Sequence, residues 1–260
     1  MSALVVIPAR YGSTRFPGKP LAPLKGLPVI QHVYQNSLCS KLASEVIVAT
    51  DHEGIMETVL SFGGKAVMTS PHHESGTDRI AEAAGLLDRE YDIIVNVQGD
   101  EPLINPGMID DVISVLDDRL AEIGTLVKKI GSPEEVFNPN VVKAVFDRRF
   151  FAIYFSRAPI PYHRDLWTTR AMEPGISSDH EDALTGDWYK HLGIYSYRSS
   201  TLSAFTAMPP SRLELTERLE QLRAIENGIR IKVRETQCET FGVDTPEDLE
   251  RIEKCLNTSL

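Results

Sequence analysis

The sequence is poor in cysteine and has no long apolar run. Its 260 residues include three cysteines, Cys39, Cys238 and Cys255, which are too few and too widely spaced for a disulfide framework or a zinc site. No run of about 18 apolar residues is present that could span a bilayer. The N-terminus lacks the basic and apolar regions of a secretory signal. These absences predict a cytoplasmic protein that does not insert into a membrane.

Positive charge is also scarce. Lys and Arg number 27 against 37 Asp and Glu, which gives a formal net charge of -10. A nucleic-acid partner would require a basic face, so this balance argues against one. The signatures G-x-x-x-x-G-K-[ST] and G-x-G-x-x-G are absent, which argues against a Walker P-loop and a dinucleotide fingerprint. The hydrophobic content of 42% is ordinary for a globular protein with a substantial core.

Strand and helix patterns alternate through the first half of the chain. Short apolar runs predict strands at 3–7, 46–50, 66–68 and 93–97, and periodic segments predict helices at 28–42, 51–62, 78–87 and 107–120. Strands separated by helices of this length form right-handed βαβ units, which predicts a mostly parallel sheet. Ligands of such sheets bind outside the carboxyl ends of the strands.

The second half follows a different pattern. We predict a strand near 125–130, an antiparallel pair at 141–146 and 151–156, and further strands at 191–198 and 230–233. An amphipathic helix is predicted at 213–226, and Thr245 and Asp248 form a capping box for a final helix.

A basic loop follows the first strand. Arg10, Arg15 and Lys19 lie in it with no carboxylate between them, in a protein of net negative charge. The loop is also rich in residues that favour tight turns, namely Gly12, Ser13, Pro17 and Gly18. Converging cations and the backbone N–H groups of such a turn suit a polyphosphate. The alternative is a surface loop with solvated basic side chains.

Two further loops lie at predicted strand ends. Asp100 follows the strand at 93–97, where its carboxylate can reach a bound magnesium ion, although Asp and Gly are also common in turns. Beside a phosphate loop, the metal interpretation is favoured. In the loop after the third strand, Ser75, Gly76 and Thr77 can cap a helix or let the backbone approach a flat ligand closely.

Residues 7–21, I-P-A-R-Y-G-S-T-R-F-P-G-K-P-L, resemble the signature loop of the sugar nucleotidyltransferases. The match is closest to the cytidylyltransferases that activate 3-deoxy-manno-octulosonate. Five further segments resemble motifs of the same family, namely S-G-T-D-R at 75–79, V-Q-G-D-E-P at 97–102, Y-F-S-R-A-P-I-P at 154–161, H-L-G-I-Y-S-Y-R at 191–198 and L-E-Q-L-R at 219–223. The resemblance covers 5–252 and fails at 164–187, which we interpret as a mobile loop over the sugar site.

This resemblance implies an α/β fold, a Rossmann-like three-layer nucleotidyltransferase fold with a mostly parallel mixed sheet. It implies one domain over residues 1–260, with a CTP-binding half at 1–130 and an antiparallel sugar-binding and dimerisation region at 131–230. A return strand and helix at 231–260 would complete the metal site. A homodimer is also expected from the family.

The implied reaction transfers CMP from CTP to the anomeric hydroxyl of an acidic 3-deoxy-octulosonate, with magnesium as cofactor and release of pyrophosphate. The resemblance assigns catalysis to Lys19, Arg10, Asp100 and Asp244, and metal binding to Asp100 and Asp244. The implied nucleotide-binding residues are Ala9, Arg10, Ser13, Arg15, Lys19, Ser75, Gly76, Thr77 and Gln98. The implied sugar-binding residues are Arg15, Gln98, Arg157, His191, Tyr195, Glu220 and Gln221.

Two alternatives stay open at this point. One is a related cytidylyltransferase that activates another acidic sugar, 8-amino-3-deoxy-octulosonate or a sialic acid. The other is a non-catalytic sensor of nucleotide sugars that has kept the fold. The presence of Lys19, Asp100 and Asp244 together argues against a sensor, because a sensor has no need of a metal at the α-phosphate.

Overall fold

A computed structural model describes residues 1–12, 16–164, 167 and 186–258. The predicted ligands Ser13 and Arg15, and most of the loop at 164–187, lie outside these ranges. The strands of the described chain are β1 (Ala3–Ala9), β2 (Pro23–Leu24), β3 (Leu27–Pro28), β4 (Glu45–Thr50), β5 (Ala66–Met68), β6 (Ile93–Asn96), β7 (Ile123–Lys129), β8 (Lys143–Phe146), β9 (Ala152–Ser156), β10 (Tyr189–Arg198) and β11 (Ile231–Glu235). The helices are α1 (Val29–Leu38), α2 (Glu53–Ser61), α3 (Gly76–Gly85), α4 (Pro106–Ser114), α5 (Pro133–Phe137), α6 (Ser199–Thr206), α7 (Arg212–Glu217), α8 (Gln221–Glu226) and α9 (Pro246–Thr258).

A mixed sheet forms the centre of the fold, in the order β11-β7-β10-β6-β1-β4-β5. Strands β6, β1, β4 and β5 are mutually parallel, as the alternation of strands and helices predicts. Strand β10 lies between β6 and β7 and is antiparallel to both. The predicted antiparallel pair is β8 and β9, and β8 also pairs with the start of β10.

Helices cover both faces of the sheet. Along β1, Val5 and Ile7 pack into one apolar core, with residues of α1, α2 and α4. The alternate residues, Leu4 and Val6, pack into a second core with residues of α3, α6 and α8. Because successive side chains of a strand point to opposite faces, a strand covered on both sides is apolar throughout. This arrangement confirms the three-layer α/β fold.

The helix predicted at 213–226 is wrong as a single element. A capping box between Ser211 and Glu214 starts α7, and Arg218, with a φ of 55°, ends it before α8 begins. The break leaves the carbonyl groups of Glu217 and Arg218 without helical partners, and the Arg157 guanidinium donates to them at 2.8 and 3.4 Å. A donor distant in sequence therefore stabilises a break that the local periodicity does not indicate.

Other helix ends differ from prediction by smaller amounts. Helix α2 begins at Glu53, with His52 as its N-cap, rather than at residue 51, and the Asp51 carboxylate instead accepts from the Arg79 guanidinium at 2.7 Å. Helix α4 ends at Ser114 and continues only as a 3₁₀ turn to Asp117. The predicted capping box of the last helix is confirmed, since Thr245 and Asp248 exchange hydrogen bonds between backbone N–H groups and side chains.

A bulge interrupts β10 opposite β7. Leu192 pairs with Leu126 and Tyr195 with Thr125, so that Gly193 and Ile194 are extra residues on the β10 side. In a regular strand the Cα atoms of two residues four positions apart, such as His191 and Tyr195, would lie about 13 Å from each other. At the bulge the ring centroids of His191 and Tyr195 lie 5.2 Å apart, so the two side chains are in contact.

Among the described helices, none combines the length and apolar character that a membrane crossing requires.

Candidate active site

A cleft of about 370 Å³ opens at the carboxyl ends of β1 and β6. This is the edge of a parallel sheet at which ligands bind. Residues predicted for nucleotide, catalytic and metal roles line it together, namely Ala9, Arg10, Lys19, Ser75, Gly76, Gln98, Asp100 and Asp244. The fold thus brings segments that are far apart in the chain to one place.

The basic loop is held at its two ends. The Gly18 N–H donates to the carbonyl of Tyr11 at 2.9 Å, and the Tyr11 ring stacks on that of His52 at 4.2 Å. Gly18 has a φ of 72°, and a Cβ there would lie 3.1 Å from the Tyr11 ring. The turn therefore requires glycine, and it directs the chain into the 3₁₀ turn that carries Lys19.

Lys19 joins the two predicted metal ligands. Its ammonium donates to the Asp100 carboxylate and to the carbonyl of Val243 at 3.0 Å, and lies 3.5 Å from the Asp244 carboxylate. The side chain of Lys19 is only 15% exposed. A backbone hydrogen bond of 2.8 Å from Val243 to the Asp100 carbonyl fixes the two segments to each other. One cationic nitrogen therefore lies within reach of both carboxylates.

The same geometry suits a divalent cation. The Lys19 nitrogen marks a position that Asp100 and Asp244 can reach together, and carboxylate oxygens are the ligands that hard cations prefer. No set of three or more His, Cys, Asp or Glu side chains in the described ranges is arranged to hold a metal. Two carboxylates would therefore need further oxygen ligands, which phosphate groups and water can supply.

Glu101 follows Asp100 directly, and sequence reasoning did not single it out, although it does not itself line the cleft. Burial raises the pKa of its carboxyl to about 8, and the neighbouring charge of Asp100 acts in the same direction. At neutral pH the group is therefore mostly protonated and adds little negative charge beside Asp100. Its position in V-Q-G-D-E-P, directly after the predicted metal ligand, is the signal that could have found it.

The start of α3 forms another wall of the cleft. The Ser75 hydroxyl accepts from the Asp78 N–H at 3.0 Å and caps the helix, while the Thr77 hydroxyl donates to the Glu220 carboxylate. Burial is the largest influence on Glu220 and raises the pKa of its carboxyl. Thr77 and Glu220, predicted for nucleotide and sugar, are therefore in direct contact.

A buried ion pair supports this wall and was also missed. The Arg79 side chain is 4% exposed and donates to Asp51 at 2.7 Å and to the Thr69 hydroxyl at 2.6 Å. It ties α3 to the carboxyl ends of β4 and β5. The sequence shows that Asp51 and Thr69 are polar residues at strand ends, but it does not indicate that Arg79 contacts both of them.

The predicted sugar residues of β10 lie next to β6. Tyr195 pairs with Asn96, whose side-chain oxygen accepts from Gln98 at 3.2 Å. Burial raises the pKa of Tyr195 well above its ordinary value, and the nearby Tyr197 and Glu220 act in the same direction. Gln98, Tyr195 and Glu220 thus belong to one neighbourhood, whereas Gln221 is buried at the start of α8.

Arg157 lies apart from the cleft. Its guanidinium donates to the carbonyl groups of Pro139, Glu217 and Arg218. It is not among the residues that line the cleft. Contact with a sugar carboxylate would therefore require an exchange of these partners, and the sugar-binding role of Arg157 stays a prediction.

The three-layer fold and the cation–carboxylate cleft at the sheet edge define an α/β enzyme of the nucleotidyltransferase class. The model of a family described as cytidylyltransferase matches residues 4–231. A 3-deoxy-manno-octulosonate cytidylyltransferase from Thermodesulfovibrio yellowstonii is 54% identical to this chain, over 99% of each chain. The enzyme of the same description from Geobacter metallireducens is 52% identical, over 97% of this chain and 96% of its own.

A solved structure of CMP:2-keto-3-deoxy-manno-octonic acid synthetase complexed with CTP is 41% identical, with a TM-score of 0.89 and full coverage of both chains. This chain belongs to the cytidylyltransferase family, in the group of the 3-deoxy-manno-octulosonate cytidylyltransferases. The predicted family, fold and enzyme class are confirmed. Members of the family generally use a divalent metal ion, which agrees with the carboxylate pair described above.

Proposed function

We propose that the protein transfers CMP from CTP to the anomeric hydroxyl of 3-deoxy-D-manno-octulosonate and releases pyrophosphate, as a step towards lipopolysaccharide. The observation that carries this proposal is the convergence of Lys19, Asp100 and Asp244 in the cleft that Arg10 also lines. The activity of the relatives described above and the CTP complex of the similar structure support the choice of both substrates.

The basic loop binds the triphosphate in this proposal. Arg10 and Lys19 neutralise phosphate oxygens, Ser13 contributes to binding of the nucleotide, and Arg15 acts at the junction of triphosphate and sugar. Ser75 and Gly76 at the start of α3 line the cleft, as do Ala9 and Gln98. In this proposal Ser75, Gly76 and Thr77 hold the cytosine and ribose, and Ala9 and Gln98 also contact the nucleotide.

Mg²⁺ is the proposed cofactor, with Asp100 and Asp244 as its ligands. Bound there, magnesium would neutralise phosphate charge and lower the pKa of the attacking hydroxyl. With a metal ion held by Asp100 and Asp244, the Lys19 ammonium would be free to contact phosphate oxygens. There it would stabilise the charge that develops at the α-phosphate.

The reaction itself needs little covalent chemistry from the protein. The anomeric oxygen of the sugar forms a bond to the α-phosphorus, the bond from that phosphorus to pyrophosphate breaks, and the hydroxyl proton passes to solvent. Catalysis is then mainly positioning and charge neutralisation. The proposed sugar ligands are Arg15, Gln98, Arg157, His191, Tyr195, Glu220 and Gln221.

We further propose a cytoplasmic homodimer. Residues 1–130 would form the CTP-binding half, 131–230 the sugar-binding and dimerisation region, and 231–260 the part that completes the metal site. Sparse and widely spaced cysteines support a reducing compartment.

Release of pyrophosphate, measured with different nucleotides and sugars, tests the proposed function. CTP, UTP and ATP are each combined with 3-deoxy-D-manno-octulosonate, its 8-amino analogue and a sialic acid in the presence of Mg²⁺. We expect rapid release only with CTP and 3-deoxy-D-manno-octulosonate, and its loss in Asp100→Asn. A preference for another sugar would favour the related cytidylyltransferase. Nucleotide-sugar binding without pyrophosphate release from any pair would favour the sensor.

A further inference from the structure

Thr125 in the middle of β7 is a buried residue with no role assigned so far. It lies opposite Tyr195 at the bulge of β10, where two backbone carbonyl groups turn towards it. Its hydroxyl oxygen lies 2.8 Å from the Ile194 carbonyl, 3.3 Å from that of Leu192 and 2.9 Å from Nε2 of His191.

The single proton of this hydroxyl can be assigned by counting donors and acceptors. A carbonyl oxygen only accepts, so the short contact between Thr125 and Ile194 requires the threonine proton to lie between the two oxygens. If the proton pointed to His191 instead, two acceptors would face each other at 2.8 Å. Thr125 therefore donates to Ile194 and accepts from an N–H at Nε2 of His191.

This assignment defines the state of the His191 ring. Burial lowers the pKa of His191 to about 3, so the ring is neutral at physiological pH. A neutral imidazole carries one N–H, and with that proton at Nε2 the other nitrogen, Nδ1, is a hydrogen-bond acceptor. Within the part of the chain that the structure describes, no group bonds Nδ1, and the residue keeps partial solvent exposure.

We propose that Thr125 is a positioning residue that holds His191 as the Nε2–H tautomer, so that Nδ1 accepts a hydrogen bond from a hydroxyl group of the acceptor sugar. This inference rests on the proposed function, which assumes that the sugar binds beside His191 and Tyr195. A carboxylate has no proton to donate to Nδ1. His191 therefore selects for a sugar hydroxyl and leaves the recognition of the acid group to other residues.

Nitrogen NMR of ¹⁵N-histidine-labelled protein tests the tautomer without requiring turnover. In the wild-type protein we expect the proton of His191 at Nε2. We expect the Nδ1 resonance to move on addition of 3-deoxy-D-manno-octulosonate with Mg²⁺ and α,β-methylene-CTP, an analogue that cannot release pyrophosphate. Thr125→Val keeps the shape of the side chain but removes the hydroxyl, so the ring should exchange between its two tautomers. Thr125→Ser should restore the wild-type spectrum.

Steady-state kinetics provide the second readout. Loss of the preferred tautomer in Thr125→Val should raise KM for the sugar roughly tenfold, which corresponds to about 1.4 kcal/mol for one hydrogen bond, and leave KM for CTP nearly unchanged. Ser196→Ala is the matched control. It removes a buried hydroxyl of β10 that donates to Val112 at 2.6 Å and does not touch His191. Neither its spectrum nor its KM values should change.

Three results would overturn the proposal. They are a wild-type proton at Nδ1, an Nδ1 resonance that does not respond to the sugar, and an unchanged sugar KM in Thr125→Val. Failure of the proposed function is a separate outcome, since it would be seen as absent pyrophosphate release in the wild-type enzyme. If Thr125→Val does not fold, Thr125→Ala removes the same hydroxyl from a smaller side chain and is judged by the same spectrum and the same sugar KM.

Discussion

At the scale of single residues, Lys19 is the side chain whose partners matter most. Its ammonium contacts two carboxylates and a carbonyl group, and in the proposed function it would contact phosphate once a metal ion occupied the carboxylates. We expect Lys19→Ala to lower kcat by about 10²–10³, the range for removal of a preorganised charge at a transition state. Pyrophosphate release under saturating substrates measures this effect.

Lys41→Ala serves as the control for Lys19, because Lys41 is an exposed lysine remote from the cleft. Its kcat should equal that of the wild type. A Lys19→Ala enzyme with nearly normal kcat and a raised KM for CTP would contradict the transition-state role and indicate ground-state binding instead.

His191 couples stability to pH. Its pKa in the folded protein is lowered to about 3 from an ordinary 6.5, so between these values the unfolded chain binds the proton more readily. The contribution of a neutral His191 to stability is therefore fully present above pH 6.5 and falls as the pH drops towards 3. Urea unfolding at pH 7 and pH 5 should show that the wild type loses about 1–2 kcal/mol more than His191→Gln. Equal losses in the two proteins would contradict this.

At the scale of elements, β1 and β6 meet at their carboxyl ends without side chains between them. A Cβ at Gly99 would lie 2.6 Å from the carbonyl oxygen of Pro8, so even a methyl group forces the strands apart. We expect Gly99→Ala to destabilise the fold by about 1–3 kcal/mol in urea unfolding. Activity should also fall, because Gln98 and Asp100 flank this position.

The matched control is Gly85→Ala at the end of α3. A Cβ there meets nothing within 4 Å, and alanine favours a helix over glycine by up to about 1 kcal/mol. This variant should be at least as stable as the wild type. If both variants unfold at the same urea concentration, the close approach of β1 and β6 at Gly99 is not what makes alanine unfavourable there.

The break between α7 and α8 depends on Arg157. Lysine keeps the charge but lacks the planar fork that reaches several carbonyl groups at once. Because α8 follows Glu220 and begins with Gln221, we expect Arg157→Lys to raise KM for the sugar and to change KM for CTP little. Similar increases for both substrates would contradict this expectation.

These elements also show what the sequence could and could not predict. Parallel strands, the capping box of α9 and the polar loops at strand ends follow from local patterns, whereas Ala9, Gln98 and Asp244 were assigned to the site through the family resemblance. The break at Arg218 and the N-cap of α2 could not be predicted in this way, because each depends on an arginine that is distant in sequence. The bulge of β10 could not be predicted from the sequence either, since Gly193 alone does not indicate which strand lies opposite.

At the scale of the whole molecule, the proposed metal site joins two distant segments of the chain. Asp100 follows β6 and Asp244 precedes α9, and the fold brings both to Lys19. We expect Asp100→Asn and Asp244→Asn each to lose most of the turnover, and the double variant to lose scarcely more than the worse single one. In calorimetry Mg²⁺ should bind tightly only with CTP present.

The two aspartates would be shown to act independently if their losses in kcat multiply. Tight binding of Mg²⁺ without nucleotide would contradict the view that phosphate oxygens complete the ligand set. Both outcomes are read from the same three variants and the wild type.

The position of β10 has a consequence for how the protein is made. On the ribosome, β6 and β7 emerge long before residues 189–198, yet the two strands do not pair with each other and both need β10 as a neighbour. Until that segment is synthesised, each presents an unpaired backbone edge, the kind of surface that recruits other chains. The nascent chain therefore cannot complete its sheet until residues 189–198 are synthesised. Before that point its unpaired strands can aggregate or bind chaperones.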